Sequence, residues 1–425
     1  MQMFTIYLQY KEFMVLKVID FSSRLTVLVV VLVLFSSCKA KEVDRVAVLS
    51  QKVESQTAVI VGAQNVAEYH PLLQGKKVGM VVNQTSVIDD KHIVDSLLKL
   101  NVDIEMIFAP EHGFRGEADA GEQIKDSKDA QTAIPVVSLY GKKKKPVNED
   151  LAGLDIIVFD IQDVGARFYT YISSLHYVME ACAENGIPII VLDRPNPNAH
   201  YIDGPILEEK YKSFIGMHPV PIVYGMTIGE YAQMINGEGW LDNGIKADLT
   251  VIRNREYAHT TYYNLPTQPS PNLPNIQSIF LYPSLCFFEG TTMSVGRGTM
   301  TQFQVFGHPD YRGGDHKFTP VASPGAKFPK HENIECKGRD LTMLTKGELH
   351  QQGKLDLSYL IDSYNNLKNQ NLSFFNDNNF FEKLAGTSDL RTQIKAGKTE
   401  EEIRATWREG LEGFEKVRRK YLLYK

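Results

Sequence analysis

Short apolar runs separated by amphipathic stretches recur through the first two thirds of the chain. Residues 77–82 form one such run, and 103–108, 135–139, 155–159, 188–192 and 248–252 follow it. Between them, 92–100 and 171–185 carry apolar side chains at helical spacing. Thr227 and Glu230 make a capping box ahead of Tyr231, Met234 and Ile235, which sets the start of a third helix. Apolar runs of five or six residues that alternate with helices predict a parallel β-sheet covered on both faces.

The pattern changes at residues 266–274, where four prolines fall within nine positions. Such a segment is neither helix nor central strand, and it sets the expected boundary between a domain over 58–265 and a second over 266–425. Residues 308–338, rich in Gly, Pro, Asp and His, read as long loops around short strands. Near the end, Thr399 and Glu402 form another capping box. Ile403, Trp407, Leu411, Phe414, Val417 and Tyr421 then recur every three or four residues, which predicts one final helix with a core-facing stripe. The basic last turn of that helix complements its dipole. The lysine run at 142–145 reads as a solvated loop.

Composition adds little to this picture except at the N-terminus. The 425 residues are 43% hydrophobic and 23% charged, and the net charge of −5 gives no reason to expect a nucleic-acid partner. Arg24 precedes a run over 25–35 that is apolar but for Thr26, and Ser36-Ser37-Cys38 follows. That run is too short to span a bilayer but fits the hydrophobic region of a secretory signal. Small residues before a cysteine resemble a lipobox, so 1–38 is expected to be a lipoprotein signal with Cys38 as the acylated residue. Residues 39–57, polar and charged, are then a tether. The expected location is the cell envelope, as a periplasmic or outer-membrane lipoprotein held to the membrane by its lipid. Cys182, Cys286 and Cys336 show no metal-ligand spacing and read as small buried hydrophobes.

In an open parallel sheet, ligands bind at the carboxyl ends of the strands. Those positions are conspicuously polar. Asn83-Gln84-Thr85-Ser86 follows the first strand, and Glu111-His112-Gly113-Phe114-Arg115-Gly116 with Asp119 and Glu122 follows the second. Asp160, Gln162, Asp163, Arg167, Tyr169 and Tyr171 come after the 155–159 run. Asp193-Arg194-Pro195-Asn196 come after 188–192. Any one of these loops reads equally well as a turn cluster. Four of them converging on one rim read better as a polar pocket.

The motifs narrow its chemistry. The first strand lacks the glycine fingerprint of a dinucleotide site, and the chain has neither a phosphate-binding loop nor a Gly-x-Ser-x-Gly elbow. His112 with Asp119 or Asp160 is a conceivable metal pair, but no His-rich spacing supports it. A resident metal or a bound dinucleotide is therefore not expected. Carboxylate acid/base chemistry remains, and glycoside hydrolysis is its clearest use. Glu111, beside Phe114 and bracketed by Pro110 and Gly113, suits a proton donor; the plainer reading is a rim pair with Arg115. A second motif, Phe288-Glu289-Gly290-Thr291 through Gly296-Arg297-Gly298-Thr299, sets small residues around Glu289 and Arg297, which read either as cleft residues or as an internal ion pair.

Taken together, Asn83-Gln84-Thr85, the loop 109–116, the run 159–171, Asp193-Arg194-Pro195-Asn196, Tyr224-Gly225-Met226-Thr227 and the 289–299 motif resemble one family. It was once known only as a domain of unknown function and is typified by the exo-β-N-acetylmuramidase NamZ. The resemblance runs from about Ala58 to the C-terminus. It implies a Rossmann-like N-terminal domain, a smaller α+β C-terminal domain and a cleft between them. It also implies release of N-acetylmuramic acid from the non-reducing ends of peptidoglycan fragments.

By motif, Glu111 matches the family's catalytic glutamate. Glu289 and Asp160 are the candidates for a second group, alongside the substrate's own N-acetyl oxygen. An arginine fork suits the lactyl carboxylate of a muramyl glycan, which makes Arg115, Arg167, Arg194 and Arg297 candidates. Asn83, His112, Asp163, Asp193 and Asn196 suit sugar hydroxyls, and Tyr169 or Tyr171 a sugar face. The chain departs from its relatives at Asn198-Ala199-His200 and at Met300-Thr301-Gln302-Phe303, both expected at the rim. Two other readings remain at this level, a muropeptide-binding lipoprotein without catalysis and a metal hydrolase using His112.

Overall fold

The computed structural model describes residues 58–111, 113–115 and 127–424. The expectations placed on 1–57, Cys38 included, and on His112, Gly116, Asp119 and Glu122 lie outside the described residues. From Val59 onward the chain forms one compact unit.

Seven strands make the principal sheet: β1 (Lys77–Val82), β2 (Asp103–Ala109), β3 (Ser127–Lys128), β4 (Pro135–Ser138), β5 (Ile156–Asp160), β6 (Ile189–Leu192) and β7 (Leu249–Ile252). Their spatial order is β3-β4-β2-β1-β5-β6-β7. Only the β3–β4 pair is antiparallel. The six parallel strands thus follow the order of a dinucleotide-binding fold, with the reversal between β1 and β5.

Strand alternation explains how one sheet serves two cores. Ile156, Val158, Ile190 and Leu192 face a core with Tyr69 and Leu73 of α1 (Val66–Leu73) and Ile93, Val94 and Leu97 of α2 (Ile93–Lys99). Ile157, Phe159, Ile189 and Val191 face the other way. They pack on Ile172, Leu175 and Met179 of α3 (Tyr171–Asn185) and on Tyr231 and Met234 of α4 (Ile228–Gly237). Helices before and after the reversal therefore lie on opposite faces, which leaves a crevice at the carboxyl edge.

The C-terminal part begins with α5 (Ile276–Leu285) and holds a three-stranded antiparallel sheet, β8 (Val305–His308), β9 (His316–Phe318) and β10 (Cys336–Asp340), with β10 central. The proline-rich segment before α5 is irregular as expected, but it is not a loose linker. Ser270, Asn272 and Leu273 are buried, and Leu273 shares the core of the large sheet.

Two local expectations need correction. The final stripe belongs to two helices, α6 (Glu400–Ala405) and α7 (Arg408–Arg418). Between them the amides of Thr406 and Trp407 bond three residues back, to Ile403 and Arg404, and the Thr406 hydroxyl also bonds the Ile403 carbonyl. This tightening breaks the helix while keeping Ile403, Trp407 and Phe414 buried. The 142–145 lysines are not simply solvated either. Lys145 lies 2.7 Å from both Glu180 and Glu184, Lys143 3.2 Å from Asp150, and Lys144 4.4 Å from the Phe214 ring centre.

Arg167 shows how the two parts are tied. Its side chain is fully buried, and its Nη1 donates to the carbonyls of Pro205 (2.9 Å) and Val220 (2.6 Å). Nη2 donates to those of Leu384 (3.1 Å) and Ala385 (2.7 Å). It is a backbone clamp rather than the substrate fork expected of it. Replacing it strands four buried carbonyls, so Arg167→Met is expected to lower unfolding free energy by roughly 3 kcal/mol, measured by urea denaturation.

Candidate active site

The reversal between β1 and β5 sets Asn83 beside the residues that follow Asp160. The Asn83 Oδ1 accepts from the Thr85 amide (2.9 Å) and hydroxyl (2.6 Å), which pins the amide group. Its Nδ2 donates to the Tyr171 hydroxyl at 2.9 Å, and that hydroxyl donates to the Glu111 carbonyl at 3.4 Å. Thr170, the N-cap residue of α3, donates from its hydroxyl to Glu111 Oε2 at 3.3 Å. Glu111 itself is partly buried. Asn83 and Tyr171 are fully or nearly fully buried, so they hold the Glu111 loop from behind and present no face to a sugar. Tyr169 is likewise buried, its hydroxyl bonded to the Pro269 carbonyl at 2.7 Å.

The Tyr282 ring, on α5, packs edge-on against those of Tyr169, at 5.9 Å between centres, and Phe303, at 5.0 Å. Beyond it, Arg297 Nε donates to Glu289 Oε1 at 2.9 Å, and the guanidinium stands 5.0 Å from the Phe303 ring centre. The Glu289 and Arg297 side chains are 23% and 27% exposed, so this pair is partly open to solute. Burial pushes the Glu289 carboxyl up, but Arg297 and then Lys330 outweigh it and hold it below the ordinary carboxylate range. Tyr282 and Lys330 carry no motif in the sequence; Thr170 sits within the 159–171 run but was not singled out.

Several expected site residues turn out to be structural. Asp160 accepts from Arg194 through both oxygens, Nε at 2.6 Å and Nη2 at 2.8 Å, and both residues are buried. Asp160 is therefore removed from the candidate catalytic groups, and Arg194 from the substrate forks. Arg115 does not pair with Glu111 in the way considered above; it grips Asp129 at 3.0 and 3.1 Å and approaches Asp95 at 3.5 Å.

Asp193 is buried among five donors: the Thr227 and Tyr424 hydroxyls, the Gly229 and Arg194 amides and the Asn254 side chain. Asn196 bonds the Met226 carbonyl and the Asn198 amide. Asn198 and Ala199, expected at the rim, are buried as well. Among the described residues no group of three His, Cys, Asp or Glu side chains is arranged to hold a metal ion, and Cys182, Cys286 and Cys336 are free and buried.

Asp163 lies deeper. Its Oδ2 accepts from the Gly165 amide at 2.7 Å and from the Tyr224 hydroxyl, while Oδ1 is buried without a partner. Gly165 reaches this amide geometry at φ +77°, where a Cβ would meet the Asn196 side chain at 2.2 Å.

The fold has dinucleotide-binding strand order, but its first strand leads into Asn83-Gln84-Thr85-Ser86 in place of a glycine-rich phosphate loop, so strand order alone does not make this a nucleotide-dependent protein. Two family models match, "Exo-beta-N-acetylmuramidase NamZ, N-terminal" over residues 78–277 and its C-terminal counterpart over 280–424, and the chain belongs to this family. It is 40% identical over 375 residues to the peptidoglycan β-N-acetylmuramidase NamZ of Bacillus subtilis (strain 168), covering 84% of this chain and 89% of that one. Two crystal structures of DUF1343 family proteins from Bacteroides fragilis NCTC 9343 are similar. One has 47% identity and a TM-score of 0.81 over 87% of this chain and 99% of its own. The other has 28% identity and a TM-score of 0.73 over 86% and 99%.

Burial raises the Asp163 carboxyl from 3.8 to about 6. The native state then holds a proton that the unfolded chain releases, so this contribution is complete below about pH 4 and is lost as pH rises through about 6. Over that window Asp163→Asn should remove up to about 3 kcal/mol of the fall in stability, read from urea midpoints at pH 4 and pH 7.

Proposed function

We propose that this chain is an exo-acting glycoside hydrolase that releases N-acetylmuramic acid from the non-reducing ends of peptidoglycan fragments. One observation carries the reading: a run of packed rings, Tyr171, Tyr169, Tyr282 and Phe303, connects the Glu111 loop to the partly exposed Glu289–Arg297 pair, in a member of the NamZ family. The similarity to a peptidoglycan β-N-acetylmuramidase supports the substrate class.

In this reading Glu111 gives its proton to the leaving glycosidic oxygen as the bond to the anomeric carbon breaks, and water then supplies its oxygen to that carbon and a proton back to the site. Thr170, and Tyr171 backed by Asn83, fix its position. Glu289, held ionised by Arg297 and Lys330, faces the positive charge that develops on the sugar ring. Arg297 uses Nε for Glu289 and turns its outer nitrogens to the lactyl carboxylate, which selects muramyl over glucosaminyl ends. No metal or organic cofactor enters these steps.

Glu111→Gln removes the transferable proton but keeps the shape, so turnover of a chromogenic muramide should fall on the order of 10²–10⁴-fold with the thermal midpoint unchanged. Wild-type turnover by that variant would exclude Glu111 as the acid.

We further propose that the chain works in the cell envelope as a lipoprotein acylated at Cys38, on the strength of the apolar run and the Ser36-Ser37-Cys38 sequence. Cys38→Ser should move the protein from the membrane to the soluble fraction and abolish incorporation of labelled palmitate. Unchanged membrane recovery would count against the anchor.

A further inference from the structure

Lys330 lies in a loop with no recognisable motif, yet its ammonium sits at a converging set of carbonyls. It donates to Phe288 and Thr291 at 2.7 Å, Glu289 at 3.1 Å and Met293 at 3.2 Å. The neighbouring His331, in the left-handed region at φ +58°, brings Nε2 to within 2.7 Å of the Thr292 carbonyl. The Gly290 carbonyl accepts from the Asn376 amide at 3.1 Å. Every carbonyl from Phe288 to Met293 is therefore engaged, and Glu289 is the second residue of the turn so held.

Three ammonium hydrogens shared among four carbonyls resemble the coordination of a small monovalent cation more than an ion pair. Among the described residues no carboxylate forms a salt bridge with Lys330. Its partly buried charge is met by carbonyl dipoles and, at longer range, by Glu289. Burying an ammonium costs several kcal/mol, and a neutral donor would tie the same loop with less desolvation. What the ammonium adds is positive charge beside Glu289. The other groups near that carboxylate are Arg297 and the Cys286 thiol, which burial pushes up to about 12 and so keeps neutral.

We propose that Lys330 is a positioning residue for the reaction, aiming Glu289 through the backbone of the 288–293 turn and supplying, with Arg297, the charge that opposes it. This rests on Glu289 being the second carboxylate of the site. Lys330 touches neither the substrate nor the reacting atoms; it acts through Glu289.

Full-length Lys330→Met, a neutral side chain of similar length, tests this on a chromogenic muramide across pH. The expected result is a fall in kcat on the order of 10²-fold with KM little changed. The acidic limb of kcat/KM should also move up by about one pH unit, because Glu289 has lost one of its two cations. Loss of folded protein alone would scale activity at every pH and leave the limb in place, and that result would overturn the proposal.

Lys330→Ala covers the case in which the Met variant does not fold. Added ethylammonium should restore turnover to it and not change the wild type, whereas no restoration would count against the cation's role. Glu289→Gln separates the two levels. If it abolishes turnover while the Lys330→Met limb stays put, the Lys330 role alone fails. If it turns over like wild type, the reading of Glu289 fails and the Lys330 proposal goes with it.

Discussion

The reversal of strand order between β1 and β5 is the constraint on which the rest of the molecule depends. To either side of it the connecting helices lie on opposite faces of the sheet, so the carboxyl ends at the reversal are left to the loops that follow the strands and to α5, whose Tyr282 packs on Tyr169. Backbone and side-chain polar groups gather there and must be satisfied. The buried Asp160–Arg194 pair does part of this: Arg194 takes both carboxylate oxygens and also the Val87 carbonyl. With the crevice floor fixed in that way, Asn83 and Tyr171 are held rigidly enough to support the Glu111 loop above them.

The two glutamates of the site owe their difference to what surrounds them. Glu111 accepts from the Thr170 hydroxyl at its carboxylate and from the Tyr171 hydroxyl at its backbone carbonyl. Glu289 faces two cations, Arg297 in direct contact and Lys330 behind the turn. A glycosidase needs one group that carries a proton and one that stays charged. The proposed assignment takes Glu289 as the charged group on that ground and Glu111 as the acid on its motif.

Much of the fold was legible because burial on two faces forces continuous apolar runs. The runs at 77–82 and 188–192 became β1 and β6 within a residue, and the Thr227–Glu230 box marked the start of α4. The site was legible at the level of loops and less so at the level of side chains. Four arginines looked alike in sequence. A guanidinium is recognised by carboxylates and by carbonyls in the same way, and only the fold shows that Arg167 meets carbonyls, Arg194 a buried carboxylate, and Arg115 and Arg297, both partly exposed, carboxylates nearer the surface. Lys330 was invisible for the same reason, since its partners are backbone groups that carry no sequence signal. The break at Thr406 escaped because a periodic stripe survives a tightened turn.

The division of the site between two parts of the chain has a consequence for how stability and activity are related. Glu111 is held by residues that follow the strands of the large sheet, while Glu289 and Arg297 belong to the turn after α5, and the packed rings of Tyr169, Tyr282 and Phe303 connect the two. Their separation is then set by whatever docks the C-terminal part on the sheet. That docking is built from buried polar contacts: Arg167 to the Leu384 and Ala385 carbonyls, Tyr424 to Asp193, and Arg404 to Asp203. Such contacts are directional, so losing one displaces the docked part as well as weakening it. A glycosidase whose carboxyl separation decides its chemistry tolerates little displacement. These clamps therefore belong to the geometry of the active site even though none of them reaches it.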